Sequence, residues 1–230
     1  MNSLLFSSKC AALLALPLLL SGAALAQQTK QTRDTGTFEA VQAGGAVNVF
    51  LKQGPQTAVV VEAPKEALSY ITTTVRGGVL EIRREEGMSQ TLRNLLSTKG
   101  NHVNIYITAP RLTAITASGA SDVIGESELA ADAFSIRASG ASDVVLKLNV
   151  KALTVEASGS SDVKLTGQAE RQQVQLSGSS DYLASGLQGR QATVMASGSS
   201  DAYLAVSETL KAQSSGSSDI INKGTARVSR

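Results

Sequence analysis

Apolar and polar residues alternate over short runs through the first half of the chain: "TAVVVEA" at 57–63, "ITTTV" at 71–75, "VLEIR" at 79–83 and "HVNIYITAP" at 102–110. A period of two is that of a half-buried strand, and each run is read as one. From residue 111 onward the alternation is organised around one recurring motif, SG[AS]SD, whose glycines are Gly119, Gly140, Gly159, Gly178, Gly198 and Gly216. Their spacings are 21, 19, 19, 20 and 18 residues. Four residues before the glycine stand Ile115, Ile136, Val155, Val174, Val194 and Ala212; four after it stand Val123, Val144, Val163, Tyr182, Ala202 and Ile220.

A repeat of about 20 residues built from short alternating runs is the signature of a solenoid coil. One such coil cannot bury its apolar face alone. Stacked coils can, with each strand paired to its equivalent at about 4.8 Å and like side chains aligned. The expected fold is therefore all-β: a right-handed parallel β-helix or β-solenoid with coils of about 20 residues, each made of two short strands and a polar return such as "TGQAERQQ" at 166–173. A helical repeat is disfavoured by the glycine in every copy and by the β-branched residues.

The motif itself admits two geometries. In one, a continuous strand keeps Ala157, Gly159, Ser161 and Val163 inward; in the other, the chain turns a corner at the glycine, using positive φ. In both, Asp162 points away from the core. "FEAVQAGGAVNVFLKQG" at 38–54 reads as a degenerate first copy, with Gly45 in the glycine place and Asn48 in the aspartate place. "APKEALSY" at 63–70 is read as a helical turn. A short helix from Gln90 to Leu96 is expected inside the long polar insertion 84–101.

Composition places the chain outside several classes. At 42% hydrophobic and 17% charged residues it is not a disordered polymer. Residues 1–26 join Lys9, an apolar run from Ala11 to Leu20 and a small-residue ending at Ala26, the pattern of a secretory signal peptide cleaved after Ala26. The single cysteine, Cys10, lies in that segment and precedes the apolar run, so neither a disulfide nor a lipid anchor is expected. No membrane anchor is expected in the mature chain. The predicted organisation is a linker at 27–35, one domain at 36–222 (irregular over 36–110, repetitive over 111–222) and a tail at 223–230. The mature chain is nearly neutral and its basic pairs, Arg83 with Arg84 and Arg93 with Lys99, are interleaved with Glu81, Glu85 and Glu86. A nucleic-acid partner is not expected from such a balance.

Candidate chemistry is sparse. A serine hydrolase needs a base beside its nucleophile, and His102 is the sole histidine. The strand serines recur in every copy, whereas a nucleophile is needed once. A polysaccharide-acting enzyme using Asp143, Asp162 and Asp181 near Arg171 or Arg190 is the weaker rival. In a stack, Asp122, Asp143, Asp162, Asp181, Asp201 and Asp219 form a column of carboxylates about 5–7 Å apart, whose repulsion must be relieved. Calcium is one solution. Serine hydroxyls and backbone N–H groups donating to the carboxylates are the favoured one. Among the aromatic residues Tyr182 falls on an inward position, and Tyr203 on an outward one, which makes it the candidate surface contact.

The six motif copies, the entry "FEAVQAGGAVNVFLKQG" and "ITAPRLTAITASG" at 107–119 together resemble the putative auto-transporter adhesin, head GIN domain family. That resemblance implies a secreted or envelope β-helical domain without characterised activity. The expected function is a non-enzymatic, exported interaction or adhesin-like module, periplasmic, outer-envelope or extracellular. It needs no cofactor, has a protein or glycan partner at the envelope, and has solenoid ends available for homo-oligomer formation.

Overall fold

The computed structural model describes residues 28–85, 87–96 and 102–229. The signal-peptide reading, Cys10 and part of the polar insertion lie outside them. The described chain runs through β1 (Gln28–Arg33), β2 (Ala40–Gly44), β3 (Asn48–Gln53), β4 (Ala58–Pro64), a 3-10 turn (Lys65–Tyr70), β5 (Ile71–Arg76), β6 (Val79–Arg84) and α1 (Gln90–Leu96). It continues through β7 (Asn104–Ala109), β8 (Ala114–Ser118), β9 (Asp122–Ala138), β10 (Val144–Ala157), β11 (Val163–Leu176), β12 (Tyr182–Ala196), β13 (Ala202–Ser214), β14 (Ile220–Asn222) and β15 (Arg227–Ser229). The expected runs are strands, the 63–70 segment holds a helical turn, and the short helix spans Gln90–Leu96.

Strands β9 to β13 stack in parallel, each copy of the motif directly on the last. The register is the one the alternation requires: Val123, Val144, Val163, Tyr182, Ala202 and Ile220 form one inward column, and Ile115, Ile136, Val155, Val174, Val194 and Ala212 another. Below β9 lie β8 and β3, then β2, with Asn48 opposite Asp122, so the degenerate first copy is a true coil. The next coil down is β6 and β7, in which the polar insertion carrying α1 takes the place of the tight corner. There the pairing turns antiparallel through β5, β4 and β1. Leu68, Met88, Leu92 and Leu96 close this end of the core.

One expectation is corrected. The polar return is not a loop between two strands: "TGQAERQQ" lies within β11 and pairs rung for rung with β10, Gly167 opposite Leu148 and Gln168 opposite Asn149. The reason is that every rung of a stack offers its neighbour the same unpaired N–H and C=O groups, so leaving the return unpaired would forgo those bonds. Leu148, Ala169 and Leu187 from these returns are buried. The uneven repeat spacing is also absorbed here: the register slips between Val145 and Lys147, between Lys164 and Thr166, and between Ala184 and Gln191. Bulges in the return keep the motif corners in line.

Candidate functional site

The corner geometry decides between the two readings of the motif. Each motif glycine has positive φ, from +76° at Gly216 to +85° at Gly140, so the chain turns there. Gly159 and Ser160 are exposed on the corner while Ser161 turns back into the core. The serine two places after each glycine, Ser121, Ser142, Ser161, Ser180, Ser200 and Ser218, is buried in every copy.

The acceptors found by the N–H groups flanking the corner glycine explain the motif. The first serine donates to the carbonyl of the preceding coil, as Ser158 does to Ala138 at 3.0 Å. The residue after the glycine donates to the glycine carbonyl below, as Ser160 does to Gly140 at 2.8 Å. The buried serine's N–H finds the serine hydroxyl of the next coil, as in Ser180 to Ser200 Oγ at 3.2 Å. That column's hydroxyls donate in turn to carbonyls, as Ser142 Oγ does to Ser139 at 3.0 Å. The aspartate N–H donates to the aspartate carboxylate below: Asp201 to Asp181 Oδ1 and Asp219 to Asp201 Oδ1, both at 3.1 Å. Serine hydroxyls therefore serve the corner backbone, and backbone N–H groups serve the carboxylates, a division of labour the sequence did not reveal.

The aspartates form the expected ridge. Burial and then the charge of Asp143 raise Asp122 above the ordinary carboxylate range, opposed by the Asp143 N–H. Asp162 is raised by burial, then by Asp181 and Asp143. A carboxylate raised in the folded state binds its proton more tightly there than in the unfolded chain. Its contribution therefore stabilises the fold as pH falls from neutral through the folded value, levelling below the unfolded value of 3.8. Asp162→Asn, which keeps the oxygen acceptor and removes the charge, is expected to stabilise the protein at pH 7 by up to about 1 kcal/mol. Urea titrations of variant and wild type should converge below pH 3.8; a variant less stable than wild type at pH 7 rejects the repulsion account.

The residues proposed for polysaccharide chemistry do not come together. The charges that bear on Asp162 are aspartates, whereas Arg190 is paired with Glu208 at 2.7 Å and Arg171 lines a different face. His102 is exposed just ahead of β7. Among the described residues no three of His, Cys, Asp and Glu are grouped so as to hold a metal ion.

Beside the ridge runs a feature the sequence reading missed. Five places after each motif glycine, on the outward side, stand Phe50, Ile124, Val145, Lys164, Leu183, Tyr203 and Ile221, and the register continues the row through Tyr106 to Val60. Ile124, Val145 and Ile221 are 37%, 42% and 41% exposed, so this is an apolar row facing water. Phe50 and Tyr106 stack at 5.0 Å. Tyr106 donates to Glu62 at 2.7 Å, which lowers the Glu62 carboxyl and raises the phenol. Tyr203, the candidate contact, lines a hollow of about 340 Å³ with Leu183, Lys164 and Lys223. The charge of Asp201 beside it raises its phenol. The signal was readable in the sequence: position five after the glycine is outward by parity yet apolar in most copies.

A stack of in-register coils, with an acidic ridge beside an apolar row, defines a β-solenoid. The chain belongs to the putative auto-transporter adhesin, head GIN domain family, whose model matches residues 37–226. Its fold is similar to that of a putative adhesin from Bacteroides fragilis NCTC 9343, with a TM-score of 0.74 at 21% identity over 88% of this chain and 96% of that one. A putative adhesin from Parabacteroides distasonis ATCC 8503 gives 0.71 at 19% identity, covering 88% and 92%. A putative lipid binding protein from the same strain gives 0.67 at 15% identity, again over 88% and 92%. A comparison with curated proteins gives no match.

Proposed function

We propose that this protein is an exported, non-enzymatic interaction module of the cell envelope, and that it binds a protein surface through the apolar row. The observation that carries the reading is the row itself, solvent-facing along successive coils where parity would place polar residues. Exposed apolar patches of this kind mark contact surfaces. The neighbouring aspartates specify a partner whose apolar ridge is bordered by Lys or Arg. The family name and the adhesin names of two structural neighbours accord with an interaction role. Among the described residues no helix is long and apolar enough to cross a membrane.

The test is a photo-crosslinking amino acid placed at Tyr203 or Leu183, and at Gln175 on another face, in cells exporting the protein. A discrete adduct to one envelope protein is expected from the first two positions only, lost when Asp181 and Asp201 are changed to Lys. Equal adducts from both faces, or none, overturn the reading. Turnover of a polysaccharide panel that disappears in Asp162→Asn/Asp181→Asn would favour the enzymatic rival. The backbone N–H groups already answer the carboxylates, so the melting midpoint is expected to be the same in calcium and in chelator. A midpoint raised by calcium would establish the calcium-stabilised version of the module.

A further inference from the structure

A second face of the solenoid carries a groove that neither the motif nor the apolar row accounts for. It crosses β10, β11, β12 and β13 between two outward columns. One column is Ala152, Arg171, Gln191 and Thr209; the other is Thr154, Gln173, Thr193 and Lys211. The groove has a volume of about 430 Å³ and runs parallel to the solenoid axis, because its walls are columns of stacked residues rather than single strands. Its length over four strands is about 14 Å.

Three properties define what fits it. First, its charge is of one sign: Arg171 and Lys211 are the charged lining residues, and none of the lining is acidic. In the next rung Arg227 continues the column above Thr209, with Ser229 above Lys211. Second, these cations form no ion pair among the described residues. The ion pairs in this region, Arg137 with Glu156, Lys151 with Asp132 and Arg190 with Glu208, involve other residues. The remaining nearby carboxylate, Glu170, bears on Lys151 and Arg190 at the edge. Third, most of the rest of the wall is amide and hydroxyl, from Gln173, Gln191, Thr154, Thr193 and Thr209, beside the apolar Ala152, Leu153 and Ala192. Such groups donate to and accept from sugar hydroxyls, and the guanidinium fork suits a carboxylate.

We infer that this groove binds an acidic polysaccharide, a linear chain carrying carboxylates, laid along the solenoid axis. The lining separates this ligand from a nucleic acid. Arg171, Lys211 and Arg227 stand on β11, β13 and β15, three cations over four successive rungs, or about one every 7 Å on average. Binding of single-stranded nucleic acid relies on stacking bases on aromatic platforms, of which the groove lining has none. Sparse cations among many neutral hydrogen-bonding groups match a polymer that is mostly hydroxyl.

The inference concerns a face separate from the apolar row, and its test is built to keep the two apart. Polygalacturonate, a neutral dextran and a single-stranded oligonucleotide are compared as ligands by affinity electrophoresis and calorimetry in low salt with chelator. Wild type is expected to bind polygalacturonate, more weakly as salt rises. Arg171→Glu/Lys211→Glu should weaken it at least about tenfold with an unchanged dichroism spectrum. Arg171→Gln/Lys211→Gln should fall between, and Leu183→Ser/Tyr203→Ser, on the apolar row, should bind as wild type does. The proposal is overturned by no binding of polygalacturonate, by binding that survives charge reversal, by equal binding of dextran, or by stronger binding of the oligonucleotide. Failure here leaves the crosslinking result at Tyr203 untouched, and the reverse holds as well.

Discussion

Gly159→Ala is expected to destabilise the stack by about 2–5 kcal/mol, far beyond an ordinary glycine substitution. Two costs combine. At φ +80° an alanine meets its own backbone unfavourably, by about 1–2 kcal/mol. The new Cβ would also lie 2.5 Å from the carbonyl oxygen of Gly140 and 3.1 Å from its nitrogen. That oxygen cannot move aside, since it accepts the Ser160 N–H at 2.8 Å and the same contact repeats from Gly119 to Gly216. Relieving one corner would shift its neighbours, at a cost of about 1–3 kcal/mol typical of overpacking. Gly36→Ala is the control: its φ is +71°, but a Cβ there meets nothing within 4 Å, so only the first cost applies. Urea unfolding followed by dichroism measures both variants. Equal losses would show that close approach between corners is not what requires glycine. Because a solenoid is held by nearest-neighbour interfaces, the Gly159 variant is also expected to unfold in two steps rather than one.

The second large effect lies in the core. Tyr182 takes a position that Val163 and Ala202 fill in the adjacent coils, and its hydroxyl donates to Gln172 Oε1 at 2.9 Å. Both residues are buried, and burial drives the Tyr182 phenol strongly upward, so it stays a neutral donor. Gln172 itself interrupts a column of Leu153 and Ala192, and its Nε2 is buried without a hydrogen-bond partner among the described residues. Tyr182→Phe strands the amide oxygen, and Gln172→Leu strands the hydroxyl; each is expected to cost about 1–3 kcal/mol. The double variant strands nothing and removes the orphan Nε2 as well. It is expected to equal or exceed wild type, giving a coupling of at least about 2 kcal/mol in a double-mutant cycle. Additive losses would mean that the two groups do not act as a pair.

These cases show how far residue patterns carry. Tyr182 reads as inward from parity alone, but its partner sits ten residues earlier in a stretch that reads as a polar return. Gln172 looks like surface in "ERQQV", and only the pairing of that stretch into the stack turns it inward. The acid ridge and the column of glycines follow from the spacing, because identical corners stacked in register must align like with like. Tyr203 likewise reads as outward. The row it belongs to escapes notice, since its members are about 20 residues apart and each alone is an unremarkable exposed residue. The groove is further from view: Arg171 and Lys211 share no motif, and apart from Arg227 the residues in register with them in other coils are uncharged.

By itself the sequence determined the class of fold, the coil length, the inward columns and the alignment of the motif glycines, because these depend on period-two alternation and on the repeat spacing; that the chain turns a corner at each glycine came from the structure. Tertiary structure alone decided that the corner serine is buried, that backbone N–H groups rather than hydroxyls answer the aspartates, and which outward columns stand side by side. The reason is register. Uneven coils are brought back into line by bulges in the returns, and where each bulge falls is settled by packing between neighbouring coils, not by any residue pattern within one.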